Sequence, residues 1–403
     1  MKTILTPPLR FFLVGELFIN LSDMYLFFLP LLMSDLGAGA ADIGLVYSIS
    51  AMIPLALNVI GGWLSDRFGR LRTITWGNLV KLAAFGVLLF ANRWEWLILV
   101  FTLTGISWAL AGPSFSAYIA DQSAEKDRAK VYSVQHNLFN AVSLVRYPLA
   151  GWIAARAGFR PMLLAAAVLF LIGTSLLALA ERVQHHTGQD VKPGTISSFK
   201  VNFGVLLSLV LAGGVFTWLF IIDHLNDIFV GLSSSLSVLY FEEVVGITVE
   251  QIAFLPTIGA IIALFVTIPL GYWVDKKGEQ IGLGLAYLLL MIHIGTPLLA
   301  RNFLGLIPSA LVHPFMVGLA KPASQSLISK SVPEEQRGLA FGLTWSSRGL
   351  LSLPFPYFGG LLWDRFSPQT PFLITVIGCL GLSLLAFWKL RAPRETNLTD
   401  LAP

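Results

Sequence analysis

The chain has 403 residues, of which 55% are hydrophobic and only 12% charged, with a formal net charge of +4. A soluble domain carries about 25% charged residues, so this deficit argues against a soluble enzyme and for a polytopic helical membrane protein. The apolar runs are continuous over about 20 residues, as spanning helices require, where barrel strands would alternate. A single cysteine, Cys379, excludes an internal disulfide and a thiolate metal cluster.

Apolar runs fall near residues 10–34, 42–64, 73–92, 95–119, 129–155 and 161–180, then near 215–241, 251–274, 281–300, 303–329, 338–362 and 371–390. No small-residue cleavage site follows the first run, so it reads as span 1 and not as a removable signal. Between the two sets lies Glu181 to Lys200, the one long polar interruption. The predicted fold is all-α and membrane-embedded, with 12 transmembrane helices in two pseudo-symmetric six-helix bundles. The predicted domains are 1–181, a cytoplasmic linker at 182–200, and 201–403. The apolar stretch 201–214 is too short to cross and is expected to lie at the interface or to extend span 7.

A constant offset of 209 residues relates the halves. Gly37 maps to Gly246, Ile43 to Ile252, Pro113 to Pro322, Arg128 to Arg337 and Gly151 to Gly360. The turn after span 2, with Gly62, Asp66, Arg67, Gly69 and Arg70, maps onto Gly271, Asp275 and Gly278 after span 8. The halves therefore share one orientation. Of the 27 Lys and Arg, 18 fall on the side bearing both turns and the linker, 5 on the other, and 4 (Lys81, Arg146, Lys321 and Arg348) within spans or at their ends. The positive-inside rule then places both termini, the linker and both turns in the cytoplasm, in an inner (plasma) membrane.

The glycines permit tight turns at helix ends, and the charges around them suggest a network made when the halves close on that side and broken when they part. Asp66, Arg67, Arg70 and Arg128 are its first candidates, followed by Asp275, Arg337 and Glu125, the last being the repeat equivalent of Glu334. The alternative is a set of solvated loop charges.

An ionisable group inside the bilayer costs several kcal/mol (about 2.5–3.5 on the insertion scale) and normally faces the bundle interior with a partner. Asp23 lies thirteen residues beyond Arg10, about 20 Å into span 1 at the α-helical rise. Glu16 and Asn20 share its face. Asp223 and Asp227 share a face of span 7. Arg146 on span 5 and Arg348 on span 11 are the available bases, so the expected pairs are Asp23–Arg146 and Asp227–Arg348, two versions of one repeated pairing. A static ion pair that only joins helices is the alternative. A buried carboxylate beside a displaceable base acts as a proton switch, because lost hydration favours its neutral form and the base its charged form. Glu16 has no evident partner and is the easier protonation site. Lys81 is expected to snorkel, and His293 and His313 to be satisfied core histidines.

The turn at Gly62, Asp66, Arg67, Gly69 and Arg70 resembles the signature loop of the major facilitator superfamily, with Leu71 where a second base is common. The resemblance extends over nearly the whole chain. It implies a major facilitator fold and a role for the loop in locking the outward-open state. Acids on span 1, the length and the short loops resemble the drug:proton antiporter branch. Tyr147-Pro148 to Gly151 and Pro356 to Gly360 look like fragments of that branch's Gly-Pro signature, although a Pro-Gly kink that lets helices pack explains them equally well.

There is no Gly-Lys-Ser/Thr phosphate loop, no His-Glu-x-x-His and no acid-rich calcium loop. No cofactor or metal is expected, and no nucleic-acid partner. The expected function is secondary active transport by a monomer, with a small-molecule substrate and protons as partners, exporting small apolar organic compounds. Uptake of a sugar or organic acid and lipid transport are alternatives. From another class, so are a membrane sensor and a membrane-embedded enzyme, although no catalytic set stands out.

Overall fold

The computed structural model describes residues 6–123, 125–186, 213–332 and 337–390. Most of the predicted linker and of the 201–214 stretch lies outside the described residues. The described chain is helical throughout, because in lipid every backbone N–H and C=O must be satisfied within its own segment.

Span 1 is α1 (Pro7–Ser22), a 3-10 turn (Asp23–Phe28) and α2 (Leu29–Asp35). Then follow α3 (Ala40–Phe68), α4 (Arg70–Phe90), α5 (Trp96–Gln122), α6 (Glu125–Ala157) and α7 (Phe159–His186). The second half repeats this. Span 7 is α8 (Val215–Ser233), a 3-10 turn (Ser234–Leu236) and α9 (Ser237–Glu243). After it come α10 (Val249–Lys277), α11 (Glu279–Leu299), α12 (Phe303–Ser331), the broken pair α13 (Arg337–Ser352) and α14 (Phe355–Arg365), and α15 (Thr370–Lys389).

These helices make twelve rods among the described residues, and ten of the rods are long and apolar enough to cross a bilayer. The other two are spans 5 and 11. The first part of α6 carries Glu125, Lys126, Asp127, Arg128 and Lys130, which dilutes its hydropathy. Span 11 is interrupted at Leu353-Pro354, where Pro354 and Pro356 stop the backbone ladder. The expected all-α membrane fold is what the chain adopts.

The 209-residue repeat holds at the level of backbone geometry. Helices α3 and α10 have boundaries 209 residues apart, as do α4 and α11. The turn glycines Gly69 and Gly278 share the same positive φ of 98°, with ψ 148° and 147°. A side chain would be strained there, so both turns demand glycine.

Call the end with these two turns the turn end, and the opposite end the far end. The halves meet at the far end. There α3 crosses α14 so closely that a Cβ on Gly44 would stand 2.1 Å from the carbonyl oxygen of Pro356, and one on Gly360 2.2 Å from that of Ala40. On the other side of the seam, a Cβ on Gly151 of α6 would stand 2.4 Å from the Cβ of Ala253 on α10. Hydrogen bonds reinforce the seam. The Ala41 N–H donates to Asp364 at 2.9 Å, the Tyr357 N–H to the Ser48 hydroxyl at 3.2 Å, and the Ser34 hydroxyl to Glu243 at 3.2 Å. Ser34 and Glu243 are themselves repeat equivalents, so this bond runs across the pseudo-two-fold axis. Gly151 and Gly360 thus act as packing points for the two halves.

Candidate functional site

A cavity of about 590 Å³ lies between the halves and extends into the second. The first half contributes Leu26, Phe27, Pro30, Tyr47, Ser143 and Tyr147. The rest comes from span 7 (Ser234, Ser235, Ser237, Val238, Phe241), from α10, α11 and α12, and from Phe372. The two 3-10 turns shape it. By tightening the helix they aim Phe27 on one side and Ser234 and Ser235 on the other toward the same space. The wall is mainly aliphatic and aromatic. Its polar points are serines, Tyr47, Tyr147, Thr267 and the pair His293 and His313, whose ring centroids are 5.0 Å apart. A volume of this size suits a drug-sized molecule (pockets run about 300–1,000 Å³).

The intramembrane charges flank this cavity without lining it. Asp23 pairs with Lys81 on α4, Nζ to Oδ1 2.5 Å, and the same ammonium lies 5.0 Å from the ring centre of Phe170. The expected Asp23–Arg146 pair is therefore corrected, and so is the expectation that Lys81 snorkels. Sequence position gives depth along a helix but not which neighbour a side chain turns to. Lys81 sits on the buried face of α4, and a buried ammonium requires a carboxylate. Arg146 instead donates to the Tyr147 hydroxyl at 2.5 Å and stacks over that ring at 4.5 Å, while its Nε is buried without a partner.

In the second half Arg348 grips Asp227 with two bonds, from Nε at 2.5 Å and from Nη2 at 2.6 Å. Asp223, one turn earlier, lies 3.8 Å from the same guanidinium and accepts from the Tyr287 and Ser324 hydroxyls at 3.1 Å each. His224 bonds the Phe220 carbonyl and the Ser347 hydroxyl. The two halves thus do not repeat one pairing: the first joins spans 1 and 3, the second spans 7 and 11.

Glu16 is 4% exposed. One of its oxygens accepts from the Gln135 amide at 2.5 Å, and the other is buried with no partner. Asn20 bonds back to the Glu16 carbonyl at 2.8 Å and caps nothing further.

At the first turn, Arg70 bonds Asp66 and Ser65 and reaches Asp121 at the end of α5, 3.0 Å away. Arg67 lies over the rings of Trp63 and Phe68. All these contacts are within the first half. The Arg128 side chain lies outside the described residues. Gly62 has open space where its Cβ would be, whereas its neighbour Gly61 packs against the Ala109 carbonyl.

At the second turn Asp275 is exposed and has no ion pair among the described residues. Arg337 donates to the Ser329 carbonyl at 2.9 Å. The ion pair here is Glu279 with Lys330, at 2.6 Å, supported by the Ser326 hydroxyl at 2.7 Å. By the 209-residue offset Glu279 stands where Arg70 stands, and Lys330 where Asp121 stands. The same slot holds the same ion pair with its signs reversed. The sequence signal for Asp121 was present in that offset but hidden by the reversal. Gln135, Tyr287 and Ser309 carried no such signal.

This duplicated bundle, with a cavity at the join and charge pairs buried beside it, is the architecture of a multi-pass membrane transporter. The family model described as Major Facilitator Superfamily matches residues 11–353 and again 220–402; the chain belongs to that superfamily, and it is a transporter, not an enzyme. It is 25% identical over 376 residues to multidrug resistance protein 1 of Bacillus subtilis, covering 89% of this chain and 90% of that one. Over 147 residues, 34% of each chain, it is 35% identical to a Na(+), Li(+), K(+)/H(+) antiporter of Planococcus maritimus. The fold is also that of a crystallised nucleoside transporter (TM-score 0.79, 13% identity, 96% of this chain and 100% of that one). A peptide transporter crystallised with alafosfalin gives TM-score 0.74 at 16% identity, covering 94% and 93%.

Proposed function

We propose that the chain exports small, largely apolar organic compounds in exchange for protons, by rocking of its two halves. The halves are 1–181 and 201–403, joined by the linker 182–200, and the turn end is cytoplasmic. On that orientation the far-end seam closes the outside and the structure is inward-facing. The observation that carries this reading is the aromatic and aliphatic cavity at the join of the halves, beside the far-end seam where they touch. The excess of bases at the turn end supports the orientation. The names of the multidrug resistance relatives support export, and that of the Planococcus antiporter supports proton coupling.

Glu16 serves as the proton site. A carboxyl whose second oxygen has no donor in a water-poor surround is held more cheaply neutral than charged. Gln135 is a partner that tolerates both forms. Asp227 and Asp23, each held by a base of its own half, brace spans 7 and 1 as the halves rock.

The test is transport in proteoliposomes across a panel of apolar compounds, with and without an imposed pH gradient. Substrate-driven proton flux in the absence of other ions is expected. Transport indifferent to the pH gradient refutes proton coupling, and accumulation only toward the turn-end face refutes export.

A further inference from the structure

Resting on the reading of the cavity as the substrate site, we propose that it selects amphiphilic compounds with a weakly acidic or anionic head over lipophilic cations. Three observations converge on this.

First, no carboxylate among the described residues lines the cavity, although spans 1 and 7 carry buried acids. Asp23 and Asp227 are held by Lys81 and Arg348, and Asp223 by Tyr287, Ser324 and Arg348. A cation in this cavity meets no counter-charge on its wall.

Second, the wall holds a buried hydroxyl with nothing to donate to among the described residues. The Ser235 hydroxyl lines the cavity, is 7% exposed, and has no hydrogen-bond partner. A buried hydroxyl left unpaired is costly and is satisfied by an acceptor arriving with the ligand. Beside it, His293 is tied by its Nδ1 to the Ser309 carbonyl at 3.0 Å. The Ser309 hydroxyl stands 2.8 Å from the same nitrogen and bonds the His293 carbonyl at 2.9 Å, so Ser309 fixes this imidazole on the wall. His313, 5.0 Å away between ring centroids, also lies on the cavity wall.

Third, Arg146 supplies positive charge without a carboxylate among the described residues. Its guanidinium is bonded to the hydroxyl of Tyr147, itself a lining residue, and stacks on that ring. A hydroxyl that receives a hydrogen bond from a guanidinium is a stronger donor on its other side. Tyr147 therefore relays the charge toward the cavity, and its ring, with Phe27 set edge-on at 5.3 Å, covers the apolar body of the ligand.

The test uses three probes with one aromatic body: naphthylacetate, naphthylethanol and naphthylethylammonium, titrated against the purified full chain. Naphthylacetate is expected to bind about tenfold tighter than naphthylethylammonium, the size of one charge-assisted contact. Arg146→Gln and Ser235→Ala should each collapse that ratio toward one; naphthylethanol that still binds, though more weakly, reports an intact cavity. Ammonium binding equal to or tighter than acetate binding overturns the proposal while leaving the cavity assignment standing. A ratio unchanged in both variants overturns it as well. If none of the three probes binds, the cavity is not the substrate site and both readings fall.

Discussion

Closure of the far end depends on glycine at position 44, and Gly44→Ala should hold that end open. The added Cβ would stand 2.1 Å from the Pro356 carbonyl oxygen and 2.9 Å from the Tyr357 Cα. Ordinary carbon–oxygen contact begins near 3.3 Å, so α3 and α14 must part by about 1.2 Å. Both sides of the clash are backbone, and no flexible side chain is available to yield. Overpacking of this kind costs about 1–3 kcal/mol. The whole cost falls on the state in which the two helices touch, because separated helices leave the methyl group free. The equilibrium between the two states then shifts by about 5–150-fold toward the open far end.

The assay exploits the chain's single cysteine. In a Cys379→Ala background, Ser48→Cys places a thiol in the closed seam, where Ser48 is 9% exposed and accepts from the Tyr357 N–H. Maleimide alkylation in detergent then reads the open fraction irrespective of orientation. The rate should rise by about 5–150-fold on adding Gly44→Ala, and transport should fall because each cycle must close this seam. Gly86→Ala is the matched control, since nothing lies within 4 Å of its Cβ, and it should leave the rate alone. Equal rates with glycine and alanine at position 44 refute the argument that the backbone crossing sets the gate.

Glu16→Gln should preserve folding and substrate binding but reduce substrate-driven proton flux at least about tenfold, measured in pH-sensitive-dye vesicles; unchanged flux removes Glu16 as the proton site. Asp227→Asn leaves the Arg348 guanidinium without its two-bond partner and should cost about 2 kcal/mol in thermal unfolding, below the usual buried-pair loss because Asp223 remains 3.8 Å away. Adding Arg348→Met should recover most of that loss. Lys330→Glu sets two carboxylates together at the second turn and should destabilise by about 1 kcal/mol, a small figure because Lys330 is well exposed. The double exchange Glu279→Lys with Lys330→Glu rebuilds the polarity of the first turn and should restore the melting temperature.

Much of the scaffold was legible because membrane helices obey a strict rule: uninterrupted apolar length, punctuated by glycine and charge. The boundaries of α3 and α4 reappear 209 residues later in α10 and α11 as the offset required. The break in span 11 was not legible, since Pro354 and Pro356 read equally well as a kink. The depth of each intramembrane charge was readable from helical rise, whereas its direction around the helix was not. Arg348 and Asp227 share depth and do meet; Asp23 turns to Lys81 instead, a contact set by how α4 is rotated against span 1. The His293–Ser309 contact and the unpaired Ser235 hydroxyl depend on packing between α11 and α12 and on the 3-10 turn of span 7, none of which leaves a mark in residue order.

The reversed ion pair separates what duplication preserved from what it left free. Had the signs of Arg70 and Asp121 mattered for their own sake, Glu279 and Lys330 could not occupy the same two positions exchanged. What persists in both halves is a bond tying the start of the third helix to the end of the fourth beside a positive-φ glycine, so the requirement at that slot is a rigid helix pair and not a particular potential. The polar groups near the cavity show the opposite pattern. Asp223, Asp227, His293 and His313 have Val14, Phe18, Ala84 and Thr104 at their first-half equivalents. A rocking cycle needs two halves of equal stiffness but one ligand site, and a single site on a pseudo-two-fold axis must break the symmetry. The ion-pair slot at the turns therefore repeats while the polar groups around the cavity do not: Arg146 and Tyr147 come from the first half, Ser235, His293 and His313 from the second.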